Sequence, residues 1–486
     1  MAKGTAMEKT KQIERLTRRR VLGAAAAGVT ILKAGTLGRG GAVAPSDKLN
    51  IAMIGTGGRG AISLQNLTDQ NIVALCDADW RTERRDQFPA FKVAADYPNA
   101  KRYDDWRKML DEMDKSIDAV VVACPDHNHA IASITAMKRG KHVYCEKPMA
   151  HSMEEVRAMA AAARKYKVTT QTGHQGHSSD DVRSIVEWVR AGVIGTVKEV
   201  HIFEGQGGRP GMARAVRAPK PGGAGEAPVP DAPPQEVNWD VWIGPARFRK
   251  YDPGLLTGRW RRWIDYGTGV LGDFNCHYFD PIQWALNLGL PETIEATTDE
   301  SYDPRENKET YPGNIVVRYG FGAEGKRPAV TVTWYANSVQ RPPLPAGWKE
   351  GDKLPDPTGG GIIVGTNGSI LYGKIFHSLP DQPTPGIVRL FPDELAKSAR
   401  LPDKTIPRVG GHWAEWVECS KAGGKQAGAH FGFSANITNI ALLGNVAIRN
   451  KGKIMRVDTK RGRFLNDNEA NKMLLFPARD GWKLPS

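Results

Sequence analysis

The sequence predicts an α/β protein in which a doubly wound parallel sheet is followed by an α+β domain built on an open, mainly antiparallel sheet. Three observations predict it. From Lys48 to about residue 172, strand-like apolar runs alternate with helical segments, a pattern that implies a parallel sheet with helices on both faces. After about residue 180 the apolar runs are strand-like and seldom interrupted by helices, as in "TVKEVHIFEG", "NIVVRYGF" and "AVTVTWYA". The Asn-Gly pair inside "IIVGTNGSILYG" marks a tight hairpin between two of them.

Taken in order, "KLNIAMIG" is a buried strand, a helix follows from Gly60, and "NIVALCDAD" is a second strand ending in acids. "DDWRKMLDEM" has helical spacing and "IDAVVVACP" is again a strand. A helix from Ala130 stops at Gly140, after Lys138 and Arg139, because glycine accepts the left-handed conformation that ends helices. The strand Lys141 to Cys145 comes next, then Ser152 with Glu155 three residues on, a capping box opening an Ala-rich helix. "VTTQTG" returns to strand, giving a first domain of residues 48–172 and a second of residues 173–486. Residues 206–236 and 339–361 are dense in Pro and Gly and read as surface loops or insertions.

The 486 residues, 40% hydrophobic and 25% charged, are enough for two cored domains. No apolar run approaches a membrane span, so stable membrane insertion is not expected. The apolar stretch Val21 to Leu32 is short, rich in small residues and preceded by "TRRR", which is the build of a signal segment. Thr17, Arg18, Arg19, Val21 and Leu22 resemble a twin-arginine export signal over residues 1–44, which implies the twin-arginine machinery as a partner and a periplasmic or other extracytoplasmic destination reached already folded. That segment holds nine Lys/Arg and two Asp/Glu, half of the net charge of +14. The remainder is too thinly basic for a nucleic-acid footprint. Cys76, Cys124 and Cys145 end apolar strands and read as packed thiols.

"IGTGGRG" sets Gly55, Gly57 and Gly60 in G-x-G-x-x-G spacing between a strand and a helix. The first glycine makes the turn, the second lets the backbone approach a pyrophosphate, and the third lets helix and strand pack closely, the fingerprint of a Rossmann dinucleotide-binding domain. Asp77 ends the next strand, twenty residues beyond Gly57, where a carboxylate accepts hydrogen bonds from an adenosine ribose and repels a 2'-phosphate. NAD is therefore expected over NADP, with Arg81 close enough to leave NADP as the lesser alternative.

In "KHVYCEKPMA", Glu146, Lys147 and Pro148 follow a strand of the parallel sheet, at the carboxyl end where such sheets bind ligands. Together "GTGGRG", "ACPDHNHA" with "GKHVYCEKP", and "GTGVLGDFNCHYFDPIQWAL" resemble the Gfo/Idh/MocA oxidoreductases, with Cys124 a mild departure from a position where threonine is common. The resemblance implies hydride transfer from a sugar or polyol hydroxyl, with Lys147, Asp273 and His277 as the catalytic set. It further implies cofactor contacts from Gly58, Arg59, His129, Glu146 and Gln175, and a homo-oligomer formed through the open sheet. Asp273 and His277 are one helical turn apart, and a carboxylate partner would make His277 a proton acceptor near neutral pH. In "GHQGH", His174 reads as a substrate contact, and with His177 it lacks a third ligand, so no metal site is expected. "GRWRRWIDY" offers Arg259 and Trp260 to a sugar ring, with Trp263 nearby. One group within the family resembles this chain in carrying an export signal and cleaves glycosides without net redox change, by oxidation at C3, elimination, hydration and re-reduction. That is the alternative function.

Overall fold

The computed structural model of the chain describes residues 47–82, 88–205, 232–256, 258–336, 340–375, 388–465 and 467–485. The expected signal segment and residues 206–231 lie outside the described residues.

The first sheet has six parallel strands: β1 (Asn50–Ile54), β2 (Asn71–Cys76), β3 (Lys101–Tyr103), β4 (Ala119–Val122), β5 (His142–Cys145) and β6 (Thr170–Thr172). Their order, β3-β2-β1-β4-β5-β6, is the doubly wound one. β4 is buried along its whole length, as expected of a strand covered on both faces. Between the strands run α1 (Arg59–Gln65), α2 (Trp106–Glu112), α3 (His129–Lys138) and α4 (Met153–Tyr166). Gly140 follows α3 at φ 77°. The capping box forms: Ser152 Oγ accepts from Glu155 N and the Glu155 carboxylate accepts from Ser152 N at 2.9 Å.

The second part of the chain adds α5 (Asp180–Arg190), β7 (Val197–Glu204), α6 (Trp239–Ile243) and α7 (Gly269–Leu286). It continues with β8 (Thr293–Thr298), β9 (Ile315–Phe321), β10 (Val330–Ala336), β11 (Gly359–Gly365), β12 (Ser369–Tyr372) and β13 (Val388–Phe391). α8 (His412–Lys421), α9 (Phe431–Arg449), β14 (Met455–Asp458) and β15 (Arg463–Phe464) complete it. Among the described residues these strands form one nine-stranded sheet, β13-β12-β11-β7-β10-β9-β8-β14-β15, antiparallel except for the β7–β10 pair. Val332 and Trp334 of β10, with Val317 and Tyr319 of β9, point to one face and join the core that holds α7 and α9. α9 is long and apolar enough to cross a membrane, which sequence reading overlooked, yet most of it is buried in this core.

One expectation is corrected. The loop assigned to residues 339–361 ends early, because Gly359–Gly361 open β11. A Cβ on Gly361 would lie 2.2 Å from the Tyr372 ring, so glycine here makes room for an aromatic neighbour instead of marking a loop. The parallel sheet ends with β6 at Thr172, and part of its cover comes from beyond it. Trp413, Trp416 and Val417 of α8 pack with Ile51, Met53 and Tyr144, so a helix from the far end of the chain closes one face of the first sheet. The carboxyl tail braces it as well. Trp482 packs edge-on against Trp106 at 6.2 Å under the Arg107 guanidinium, and Arg479 bonds Asp240 Oδ1 at 2.5 Å and the Gly244 carbonyl at 2.6 Å. The five cysteines are unpaired, four of them buried.

Candidate active site

β1 delivers the chain into the glycine loop. A Cβ on Gly55, whose φ is +88°, would meet the Ala123 backbone at 2.6 Å, and one on Gly60 would lie 1.9 Å from the Gly55 carbonyl oxygen. Gly57 is crowded by Phe88 and Ala90 backbone at 3.1 Å, whereas the space beside Gly58 is open. The loop is therefore fixed by backbone packing on one side and free on the side where a cavity of about 560 Å³ begins.

Asp77 lines that cavity, but its oxygens are engaged: Oδ2 accepts from Thr56 N and Gly57 N at 2.9 Å each, and Oδ1 from Asp79 N at 3.0 Å. Asp79, a residue sequence reading missed, is buried in the same wall and binds Arg81 through both oxygens at 2.8 Å. Its signal was the second acid of "CDAD".

The Glu-Lys-Pro stretch divides its tasks. Glu146 accepts from Arg59 Nε at 3.1 Å, Gln175 Nε2 at 3.0 Å and Tyr144 OH at 3.4 Å, tying the glycine loop to the end of the sheet. Lys147 Nζ donates to Asp273 Oδ1 at 2.7 Å and to the Asp273 carbonyl at 2.8 Å, and a cis peptide joins it to Pro148. Glu146, Lys147 and Arg59 line the cavity, as does His129. The His129 ring sits 2.8 Å from the carbonyls of Pro148 and Cys124, and burial lowers its pKa, so it pins the ends of β4 and β5 together. Gln175 is buried behind Glu146 and does not reach the cavity wall.

The expected Asp273–His277 partnership is not formed. Asp273 gives its carboxylate to Lys147 and to Arg261 Nε at 3.4 Å. Burial pushes its pKa up, but Lys147 and Arg261 outweigh burial and hold it below the usual carboxylate value. His277, 3% exposed and not in the cavity wall, is pushed well below the ordinary imidazole value by burial and by Lys147. Pro281, four residues on within α7, supplies no N–H for the His277 carbonyl.

His174 is likewise not at the cavity. It lies 3.3 Å from Asp280 Oδ2, while His177 Nδ1 is 2.9 Å from Asp280 Oδ1 and its ring stacks on Trp284 at 4.0 Å. This is a buried cluster behind His277. Arg259 is exposed and away from the wall, whereas Arg261, two residues on, lines it beside Trp260, with the guanidinium 4.4 Å from the indole. Trp263 packs in the same aromatic cluster as Trp260 but does not line the cavity.

Sequence reading also missed Asp126. It lies in "ACPDHNHA" at the carboxyl end of β4, lines the cavity and is 3% exposed. Its Oδ2 accepts from Thr268 Oγ1 at 2.8 Å. Burial and the nearby Asp273 push its pKa up to about 7. Thr268 caps α7 and is itself held by Asn445, which donates to its carbonyl at 2.7 Å.

A loop with no room for side chains, an open approach at Gly58 and a cavity running from there to a buried Lys–Asp pair fit a dinucleotide with its reacting end at Lys147. Among the described residues no group of three His, Cys, Asp or Glu is placed to hold a metal.

Comparison with known proteins agrees with this geometry. Residues 49–174 match the family model described as the GFO_IDH_MocA oxidoreductase family, NAD-binding Rossmann fold, and residues 222–321 the one described as its C-terminal alpha/beta domain. The chain is 33% identical over 157 residues to a D-glucoside 3-dehydrogenase of Escherichia coli, a match covering 31% of this chain and 42% of that protein. It is 28% identical over 169 residues to a glycosyl hydrolase family 109 protein of Stenotrophomonas maltophilia, covering 32% and 36%. Each match spans less than half of the curated relative's length. The crystal structure of an aldose-aldose oxidoreductase from Caulobacter crescentus shares the fold, with a TM-score of 0.52 and 17% identity over 84% of this chain and 100% of that one.

Proposed function

For a chain that carries the NAD-binding and C-terminal domains of the Gfo/Idh/MocA oxidoreductase family, we propose the role of an exported NAD-dependent oxidoreductase acting on a sugar or polyol hydroxyl. The observation that carries it is the Lys147–Asp273 pair at the inner end of a cavity that starts on the glycine loop. Bound there, NAD supplies the two-electron acceptor. The glycine loop, open at Gly58, would receive the pyrophosphate, and Asp77 and Asp79 would stand toward the adenosine ribose. Lys147, fixed by Asp273, positions and polarises the reacting hydroxyl through Nζ. The likeness to a D-glucoside 3-dehydrogenase supports a sugar substrate. A homo-oligomer contact through the nine-stranded sheet is part of the proposal.

Denatured protein should release nicotinamide, and the refilled protein should reduce it on addition of one or more members of a sugar and polyol panel. Absence of both release and reduction across the panel would sink the proposal.

Cofactor choice follows from the ribose end. Two carboxylates stand there, and Asp79 neutralises Arg81 through both oxygens at 2.8 Å, leaving the wall unfavourable to a 2'-phosphate. Asp79→Ala should therefore shift the NADP to NAD ratio of dissociation constants about tenfold toward NADP. Titration of both nucleotides by fluorescence checks it, and an unchanged ratio counts against the assignment.

The twin-arginine segment favours a cofactor carried inside the folded protein and restored within each cycle, because an exported protein meets no free nicotinamide pool. Net redox-neutral cleavage of a glycoside is the second reading. Asp126, a carboxyl inside the same cavity, and the likeness to a glycosyl hydrolase family 109 protein favour it.

A further inference from the structure

We propose that Asp126 is the acid–base residue that moves the C2 proton of a 3-keto glycoside during elimination of its aglycone, a role that rests on the redox-neutral reading. β4 and β5 are adjacent parallel strands with Val122 opposite Cys145, so Asp126 and Lys147 leave the same edge of the sheet and line the same cavity. The other carboxylates around that cavity are committed. Glu146 holds Arg59, Asp79 holds Arg81, Asp273 holds Lys147 and Arg261, and Asp77 takes the amides of Thr56 and Gly57. Asp126 instead takes one neutral hydroxyl, that of Thr268, which fixes the orientation of the carboxyl without neutralising it.

The groups that act on Asp126 come from every side of it. Lys147 just beyond β5 and Arg261 of the segment before α7 favour its ionised form, Asp273 of α7 opposes it, and burial opposes it more strongly. His127 and His129, on its own segment, direct their ring nitrogens to backbone carbonyls. The resulting value of about 7 suits a group that must both take and return a proton at neutral pH.

The step balances without an oxidant. With the C3 ketone held by Lys147, the Asp126 carboxylate removes the proton on C2, and the C–H electron pair becomes the C1=C2 double bond. The C1–O bond breaks with its pair on the leaving oxygen, which receives the proton from Asp126. An unsaturated ketone and a free alcohol or phenol result, with no net change in oxidation state.

The experiment supplies a nitrophenyl 3-keto glucoside to the holoenzyme, so that no oxidation of substrate is needed, and follows nitrophenol release and deuterium uptake at C2 in heavy water. Wild-type protein should do both. D126N should lose both by at least about 100-fold, while D126E restores part of the loss and bound nicotinamide stays at the wild-type level. Thr268→Val removes a hydrogen bond to the carboxylate and should move the rising limb of the pH profile for release to higher pH. This variant carries the test if D126N does not fold. Release by D126N at the wild-type rate, or an unmoved profile in T268V, overturns the role of Asp126 and leaves the redox-neutral reading standing. No release and no C2 exchange by the wild-type protein overturns that reading and the role together.

Discussion

Replacing Lys147 by methionine is expected to lower turnover by roughly 10²–10⁴-fold while the protein keeps its nicotinamide. Methionine retains the length and apolar stem of lysine, so the wall of the cavity stays filled. What disappears is the ammonium that donates to Asp273 Oδ1 at 2.7 Å and to its carbonyl at 2.8 Å. Asp273 is then left with Arg261 at 3.4 Å, and removing one partner of a buried pair costs about 3–5 kcal/mol. A lower melting temperature should accompany the loss of turnover. The pair also has a pH signature. Because Asp273 is held below its ordinary value of 3.8, its stabilisation is complete above that value and is lost as acid titrates the folded carboxyl. Lys147→Met should erase that acid-side contribution. Lys147→Arg should not restore turnover, since a planar guanidinium cannot reproduce the point contact. Turnover within tenfold of wild type in Lys147→Met, with nicotinamide bound, would remove Lys147 from the chemistry.

Gly60→Ala is expected to abolish cofactor retention, with binding weakened by more than about 100-fold, equivalent to roughly 2.8 kcal/mol. Its Cβ would lie 1.9 Å from the Gly55 carbonyl oxygen and 3.6 Å from the Ala123 side chain. The first contact is with backbone, which cannot swing aside, so α1 must move away from β1 and carry the loop with it. Overpacking of this kind costs about 1–3 kcal/mol in the protein without cofactor. Gly58→Ala is the informative companion. It meets nothing within 4 Å but sits at φ +53° and ψ −114°, outside the left-handed helical well, so its cost is backbone strain of about 1–3 kcal/mol and not a clash. Calorimetric titration with NAD separates the two. Equal retention by Gly60→Ala and wild type would falsify the loop's assigned function.

The alternation of strands and helices, the glycine loop and the strand-end position of Lys147 were legible because each is a local pattern with a short physical cause. The parts that were not legible are matters of direction and distance along the chain. Arg259 and Arg261 are both in "GRWRRW", and which of them enters the cavity depends on a short 3-10 turn over Arg259–Arg262 that composition does not reveal. The one-turn spacing of Asp273 and His277 is real, yet spacing on a helix cannot tell that Lys147, from another domain, claims the carboxylate first. His174 carried the right residue type for substrate recognition, but Asp280 draws it into the interior. Asp126 was visible as a letter within "ACPDHNHA", and only the fold shows that it lines the cavity and takes the neutral hydroxyl of Thr268.

The late helix α8 and the tail at Arg479–Trp482 also govern when the binding site comes into being. The glycine loop leaves the ribosome long before Trp413 and Trp416, which cover Ile51, Met53 and Tyr144, and Trp482 follows them. Until then the nascent first sheet has one apolar face open to water, and Trp106, a wall of the cavity, lacks its brace. Closure of the first sheet accordingly waits for residues 412–421, and a chain that stops short of them has the nucleotide fingerprint without the helix that covers its sheet.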